Sequence, residues 1–121
     1  MLNIWFYAVC TLQWMTTLTG ILAEITTFTE LRAVILKNNF FSGPIPKGFE
    51  SHVKALEVLD LSSNLLNESI PLDLGNLSRL NCSLNLSGNR ISGTITTALG
   101  HLLVNATIDL LHNNLTGFCA S

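Results

Sequence analysis

Apolar residues recur along this chain at a spacing that belongs to neither a helical face nor a plain alternating strand. One stretch carries them at Leu56, Leu59, Leu61 and Leu66, with Asn64 between, then at Ile70, Leu74 and Leu77 with Pro71 and Gly75. About 24 residues on, the same wording returns as Leu84, Leu86, Asn89, Ile91, Gly93, Ile95, Leu99, Gly100 and Leu102. Upstream it is written Leu31, Val34, Leu36, Asn39, Phe41, Gly43, Ile45, Pro46 and Phe49. A fourth copy begins at Ile108, Leu110, Asn113, Leu115 and Gly117. The i, i+3, i+5 steps exclude a heptad seam, and recurrent Asn, Gly and Ile-Pro sit badly in helices.

The central apolar-x-apolar pair alternates side, so it predicts a short strand with both apolar side chains inward. Asn39, Asn64, Asn89 and Asn113 fall where the chain leaves that strand. A buried amide there can both donate and accept, tying together backbone groups of adjoining coils. Losing one strands buried partners at about 1–3 kcal/mol each. By contrast Asn38, one residue earlier and facing outward, is expected to tolerate alanine. Gly43, Gly93 and Gly117 suit a tight backbone path, and Ile-Pro opens an extended stretch on the far side. A single copy buries too little to offset its own ordering, so copies must stack.

Self-similarity of this kind marks a leucine-rich repeat. The expected fold is a leucine-rich-repeat solenoid, an α/β-type horseshoe fragment with short parallel strands on its concave wall. Four repeats are expected, at 31–55, 56–80, 81–104 and a truncated 105–117, with a lead-in at 24–30 and a tail at 118–121. Both ends look poorly capped. The three cysteines Cys10, Cys82 and Cys119 occupy unrelated slots, so free thiols are expected rather than a capping bridge.

Residues 1–23 carry no charged side chain, and the run from Ile4 to Val9 is apolar. This segment reads as a secretory signal, with Ile21-x-Ala23 as a cleavage site, or as an uncleaved membrane anchor. Leu18-Thr-Gly20-Ile-Leu22-Ala-Glu also matches the tail of a repeat, so an eroded repeat is the rival reading. Compartment is signalled more strongly by Asn-x-Ser/Thr. Six such sequons stand at Asn67, Asn76, Asn81, Asn85, Asn105 and Asn114, where composition alone predicts about two. Glycosylation and passage through the secretory pathway follow as expectations, toward the cell exterior or the plasma membrane.

With 121 residues and a net charge of −2, the chain has room for one domain. Only 12% of residues are charged, and Arg32, Lys37, Lys47, Lys54, Arg79 and Arg90 are scattered, so no surface neutralises nucleic-acid phosphates. No C-x-x-C occurs, and His52, His101 and His112 show no metal-ligand spacing. No metal or cofactor is expected. Asp60 and Asp109 share a column two coils apart, but they read as solvated carboxylates that discourage sheet aggregation rather than a catalytic pair.

Strand positions that do not point inward form the concave wall, where such solenoids bind. Column by column these are Ala33, Val58, Ser83 and Thr107; Ile35, Asp60, Asn85 and Asp109; and Lys37, Ser62, Ser87 and Leu111. The candidate binding face is Ile35, Lys37, Val58, Asp60, Ser62, Asn85, Ser87, Asp109 and Leu111. Asn38, Ser63, Gly88 and His112 flank it.

From Phe28 to Gly117 the segments LKNNFFSGPIPKGF, LEVLDLSSNLLNESIP, LNLSGNRISGTI and NATIDLLHNNLTG resemble the last extracellular repeats of plant leucine-rich-repeat receptor-like kinases. The resemblance implies a ligand-sensing ectodomain whose partners are a protein or peptide ligand, or another leucine-rich-repeat protein. It implies no enzyme. The glycine-rich loop, V-A-I-K lysine, H-R-D and D-F-G of the kinase are all missing from this chain. Departures are Glu68 in a glycine slot, Thr96 in place of the proline after Ile95, and Asn81 and Asn105 in a leucine slot. The alternative to an extracellular recognition module is a truncated receptor gene product with no independent binding activity.

Overall fold

The computed structural model describes residues 5–7, 32–47, 55–77, 79–95, 97–103 and 106–118. Nearly all of segment 1–23, the 24–30 lead-in, Leu31, Phe49, His52, Thr96, Asn105 and Cys119 lie outside these described residues, as does the end of the tail. Nine strands are described: β1 (Trp5–Tyr7), β2 (Ala33–Ile35), β3 (Ser42–Pro44), β4 (Val58–Asp60), β5 (Leu65–Asn67), β6 (Ser83–Asn85), β7 (Ser92–Ile95), β8 (Thr107–Asp109) and β9 (Asn114–Phe118). The return side carries 3-10 turns at Leu72–Asn76 and Thr97–Leu99 and one α-helical turn, α1, at Gly100–Leu103. Among the described residues no helix is long and apolar enough to cross a membrane.

The main sheet is five-stranded and wholly parallel, in the order β1-β2-β4-β6-β8. Its register pairs Val34 with Leu59, Leu59 with Leu84 and Leu84 with Ile108. The middle residue of each strand therefore stacks on its equivalent one coil away. Val34, Leu59 and Leu84 are fully buried, and so are Leu36, Leu61 and Leu86 immediately after the strands. Phe41, Leu66 and Ile91 then fill the ladder side, and Leu56, Leu74, Leu77, Leu80, Leu99 and Leu102 close the return side. In the fourth coil Ile108, Leu110 and Leu115 pack against this core but are only half-buried, for no coil follows among the described residues. The polar Asn81 in a leucine slot stays exposed, and Leu80 beside it fills the interior.

The asparagine ladder holds the coils in register. Asn64 Nδ2 donates to the carbonyls of Leu36, Leu61 and Ser62 at 3.0, 3.0 and 3.1 Å, while its Oδ1 accepts the Phe41 N–H at 3.1 Å. Asn89 repeats the pattern with Leu61, Leu86 and Ser87, and accepts from Leu66. Asn113 does so with Leu86, Leu110 and Leu111, and accepts from Ile91. Each amide thus caps its own turn and reaches the preceding coil in two places; the bonds across to that coil are buried for Asn64 and Asn89 and part-buried for Asn113.

Two features lie beyond the sequence reading. After each ladder asparagine the chain forms a second strand, giving lateral two-stranded parallel sheets β3-β5 and β7-β9. A single bridge, Ser69 to Ser92, connects them. The second feature is conformational. Asn38, Ser63, Gly88 and His112 share the left-handed region, with φ of 58°, 56°, 67° and 58°. The expectation that Asn38 is indifferent to alanine is thereby corrected, because asparagine tolerates this backbone better than alanine does. A further left-handed column falls on Gly43, Glu68 and Gly93, at 83°, 61° and 82°. Glu68 sits between two glycines: at Gly43 a Cβ would meet nothing within 4 Å, so the reason for glycine there is conformational, whereas at Gly93 a Cβ would also crowd Ser69 Cβ at 3.2 Å.

Candidate functional site

The concave wall is built from the outward positions of β2, β4, β6 and β8. Ile35, Val58, Asp60, Asn85, Ser87 and Asp109 are half-buried there, while Lys37 and Leu111 are exposed. Ser62 is almost withdrawn from solvent at 8% exposure, so it supports the face more than it presents to a partner. Ile35, Asp60, Asn85 and Asp109 pair directly across the sheet, which places them in one file. Coils in such a sheet lie about 4.8 Å apart, putting the Asp60 and Asp109 backbones about 10 Å from each other.

Local hydrogen bonds fix this file. Asp60 Oδ1 accepts the Ser62 N–H at 3.0 Å and its hydroxyl at 2.6 Å. Asn85 Oδ1 does the same with Ser87, at 3.0 and 2.7 Å. Asp109 Oδ1 accepts the Leu111 N–H at 3.0 Å. These are Asx turns that bend the chain off the strand before the left-handed residue. In the sequence they stand as Asp-Leu-Ser, Asn-Leu-Ser and Asp-Leu-Leu, an Asx residue two positions before the residue whose N–H it accepts. Because each side chain is anchored at Oδ1, its rotamer is preset, an arrangement that would lower the ordering cost of any binding there.

The remaining chemistry is sparse. Arg32 and Glu57 approach to 3.9 Å just before β2 and β4, the arginine exposed and the glutamate half-buried, and at that distance the pair adds little to stability. Cys82 is an exposed free thiol that donates to Asn81 Oδ1 at 3.3 Å. Among the described residues no group of histidine, cysteine and carboxylate side chains is gathered to hold a metal ion. Of the sequon asparagines, Asn67, Asn76, Asn81 and Asn114 are exposed, Asn85 is half-buried in the concave wall, and Asn105 lies outside the described residues.

A family model for the Leucine Rich Repeat matches residues 55–77 and 82–102, the two coils with the complete wording. The chain is a leucine-rich-repeat protein. It is 51% identical over 71 residues to a receptor protein kinase-like protein of Arabidopsis thaliana, covering 58% of this chain and 9% of that one. It is 40% identical over 90 residues to Receptor-like protein 32 of the same plant, covering 74% of this chain and 10% of that one. Among solved structures it resembles the plant peptide hormone receptor RGFR1 in complex with RGF2, with a TM-score of 0.69 and 37% identity. That match covers 75% of this chain and 14% of the receptor. The chain spans about a tenth of the length of the curated relatives it matches. The leucine-rich-repeat protein thus has the repeat fold of plant receptor ectodomains, and its relatives include receptor-like kinases and receptor-like proteins.

Proposed function

We propose that this protein is an extracellular recognition module that binds a peptide, or another leucine-rich-repeat protein, on its concave wall. The observation that carries the reading is the anchored file Asp60, Asn85 and Asp109. Outward side chains stand at fixed intervals on a rigid sheet, with Ile35, Val58 and Leu111 offering apolar contact beside them. A file of this kind suits an extended chain crossing the strands, whose successive side chains meet successive coils. The likeness to a receptor solved with a peptide hormone supports that class of ligand. Val58→Arg, a half-buried wall position, tests it. A peptide-display library panned on the unaltered chain should yield binders that the variant loses, with no change in melting. Binders indifferent to Val58→Arg would place recognition elsewhere. An absence of binders would leave the truncated-receptor reading.

The secretory route belongs to the same proposal, supported by the six sequons and the uncharged first 23 residues. Expressed in a plant secretory system, the protein should run heavier than its polypeptide mass and shift down on enzymatic glycan removal. A cytosolic, unglycosylated product would refute this route, including a role for residues 1–23 as signal or anchor.

A further inference from the structure

Asp60, Asn85 and Asp109 make the middle file of the concave wall, paired strand to strand across β4, β6 and β8. Each commits Oδ1 to its own turn, Asp60 and Asn85 to a serine N–H and hydroxyl, Asp109 to the Leu111 N–H. What remains to meet a ligand is a carboxylate oxygen, an amide NH₂ and a second carboxylate oxygen. Along the file the wall therefore offers acceptor, donor, acceptor, in steps of about 4.8 Å. All three residues are half-buried. The outward positions on either side of them in these coils are Val58, Ser62, Ser83, Ser87, Thr107 and Leu111, none of them cationic.

Three regular backbones can be laid across these strands, and the file distinguishes them. A β-strand puts same-side side chains about 7 Å apart, which matches neither one coil step nor two. An α-helix returns a side chain to one face about every 5 Å, but its carbonyls are used inside the helix, so its main chain has no answer to the Asn85 NH₂. A polyproline II chain brings every third side chain to one face, about 9 Å apart. That is close to the separation of about 10 Å between the Asp60 and Asp109 backbones. It also makes no internal hydrogen bonds, so its carbonyls are free to accept from Asn85 between the two contacts.

We propose that the concave wall takes a polyproline II segment with two cationic side chains three residues apart, one held by Asp60 and the other by Asp109, and a main-chain carbonyl between them on Asn85 Nδ2. This rests on the concave-wall reading and narrows its ligand to one backbone and one charge pattern. The segment crosses the strands, and its wall-facing residues fall on alternate coils. Each ammonium or guanidinium donates to the outward carboxylate oxygen while Oδ1 keeps its turn, so binding leaves the local fold intact.

Two proline-rich octapeptides of identical composition, each with two lysines, test it by calorimetry against the full unglycosylated chain, whose Asn85 NH₂ is unsubstituted. One peptide has its lysines three positions apart, the other two. The first should bind at least about tenfold tighter, the factor that one charge-assisted bond supplies. Asp109→Asn preserves the turn, as Asn85 shows in the adjoining coil, and should make the two peptides equal with no change in melting. Asp60→Asn should do the same from the other end. Equal affinity of the two peptides for the unaltered chain, binding of neither, or a preference that survives both substitutions overturns the proposal. If display-library binders are still lost on Val58→Arg in those cases, recognition on the wall stands and only this ligand class falls. A spacing preference that survives Val58→Arg removes the wall reading as well.

Discussion

Alanine at Asn64 and Asn89 measures how the coils are joined. In Asn64→Ala the carbonyls of Leu36, Leu61 and Ser62 lose a donor, yet each keeps another: Asn39, Asn89 and the Asn38 N–H respectively. The Phe41 N–H alone is orphaned, beside a fully buried ring. One orphaned buried donor costs about 1–3 kcal/mol, and the same value is expected for Asn89→Ala, which orphans the Leu66 N–H. The pair differs from its parts, because Leu61 C=O accepts from both amides and loses both only in the double variant. A coupling of about 1 kcal/mol beyond the sum is expected. Denaturant unfolding of the parent, both singles and the double reads this from midpoints at a common slope. Single losses under about 0.5 kcal/mol, or a double equal to the sum within about 0.3 kcal/mol, would refute the shared-carbonyl account.

Glu68→Gly should stabilise by about 0.5–1 kcal/mol, since relief of a left-handed Cβ exceeds the entropy glycine adds to the unfolded chain; a lower unfolding midpoint would contradict this. Asn38→Ala should cost about 1 kcal/mol and Asn38→Gly a few tenths; equal costs in thermal melts would show that the left-handed φ of 58° is not what selects asparagine. For the concave sequon Asn85→Asp is the cleanest probe, because Asp60 and Asp109 already make the same turn in adjoining coils. It should remove a wall glycan without lowering the melting temperature and change peptide binding or self-association, whereas Asn67→Gln at the lateral edge should change neither. A mass map showing Asn85 unmodified ends that idea.

The inward half of each coil was legible because burial enforces it. Val34, Leu59 and Leu84 repeat one environment, and a polar residue there would lose its whole transfer energy. The ladder asparagines were legible for the related reason that a buried slot needing donor and acceptor together admits few side chains. The lateral strands were not. Ser42-Gly43-Pro44 has poor strand propensity, and its pairing with Leu65–Asn67 is set by the stacked backbone rather than by its own side chains. The left-handed column escaped too, because Asn38, Ser63, Gly88 and His112 share a dihedral and no chemistry. Only Gly88 announces it, and there a Cβ would crowd Ser63 Oγ at 3.2 Å.

What a column shows therefore depends on whether its neighbours constrain the side chain or only the backbone. The concave file stands between these cases. Its Oδ1 atoms are committed to turns in three coils, a bond that Asp and Asn make best, although the first coil takes the same bend with Ile35 in that slot. The second atom of each group is then left for the proposed ligand: a carboxylate oxygen at Asp60 and Asp109, an amide NH₂ at Asn85. Ile35 lies outside the turn-forming set, and Lys37 supplies a positive charge near that end of the wall. An extended ligand laid across the coils would meet the cationic Lys37 at one end and the Asp109 carboxylate at the other, with apolar contact from Ile35 and Leu111 at both. On the proposed reading that charge polarity would set a direction of binding. Asp109→Asn preserves the turn and removes only the charge, so it should weaken a ligand bearing a cationic side chain at that end while leaving the melt unchanged.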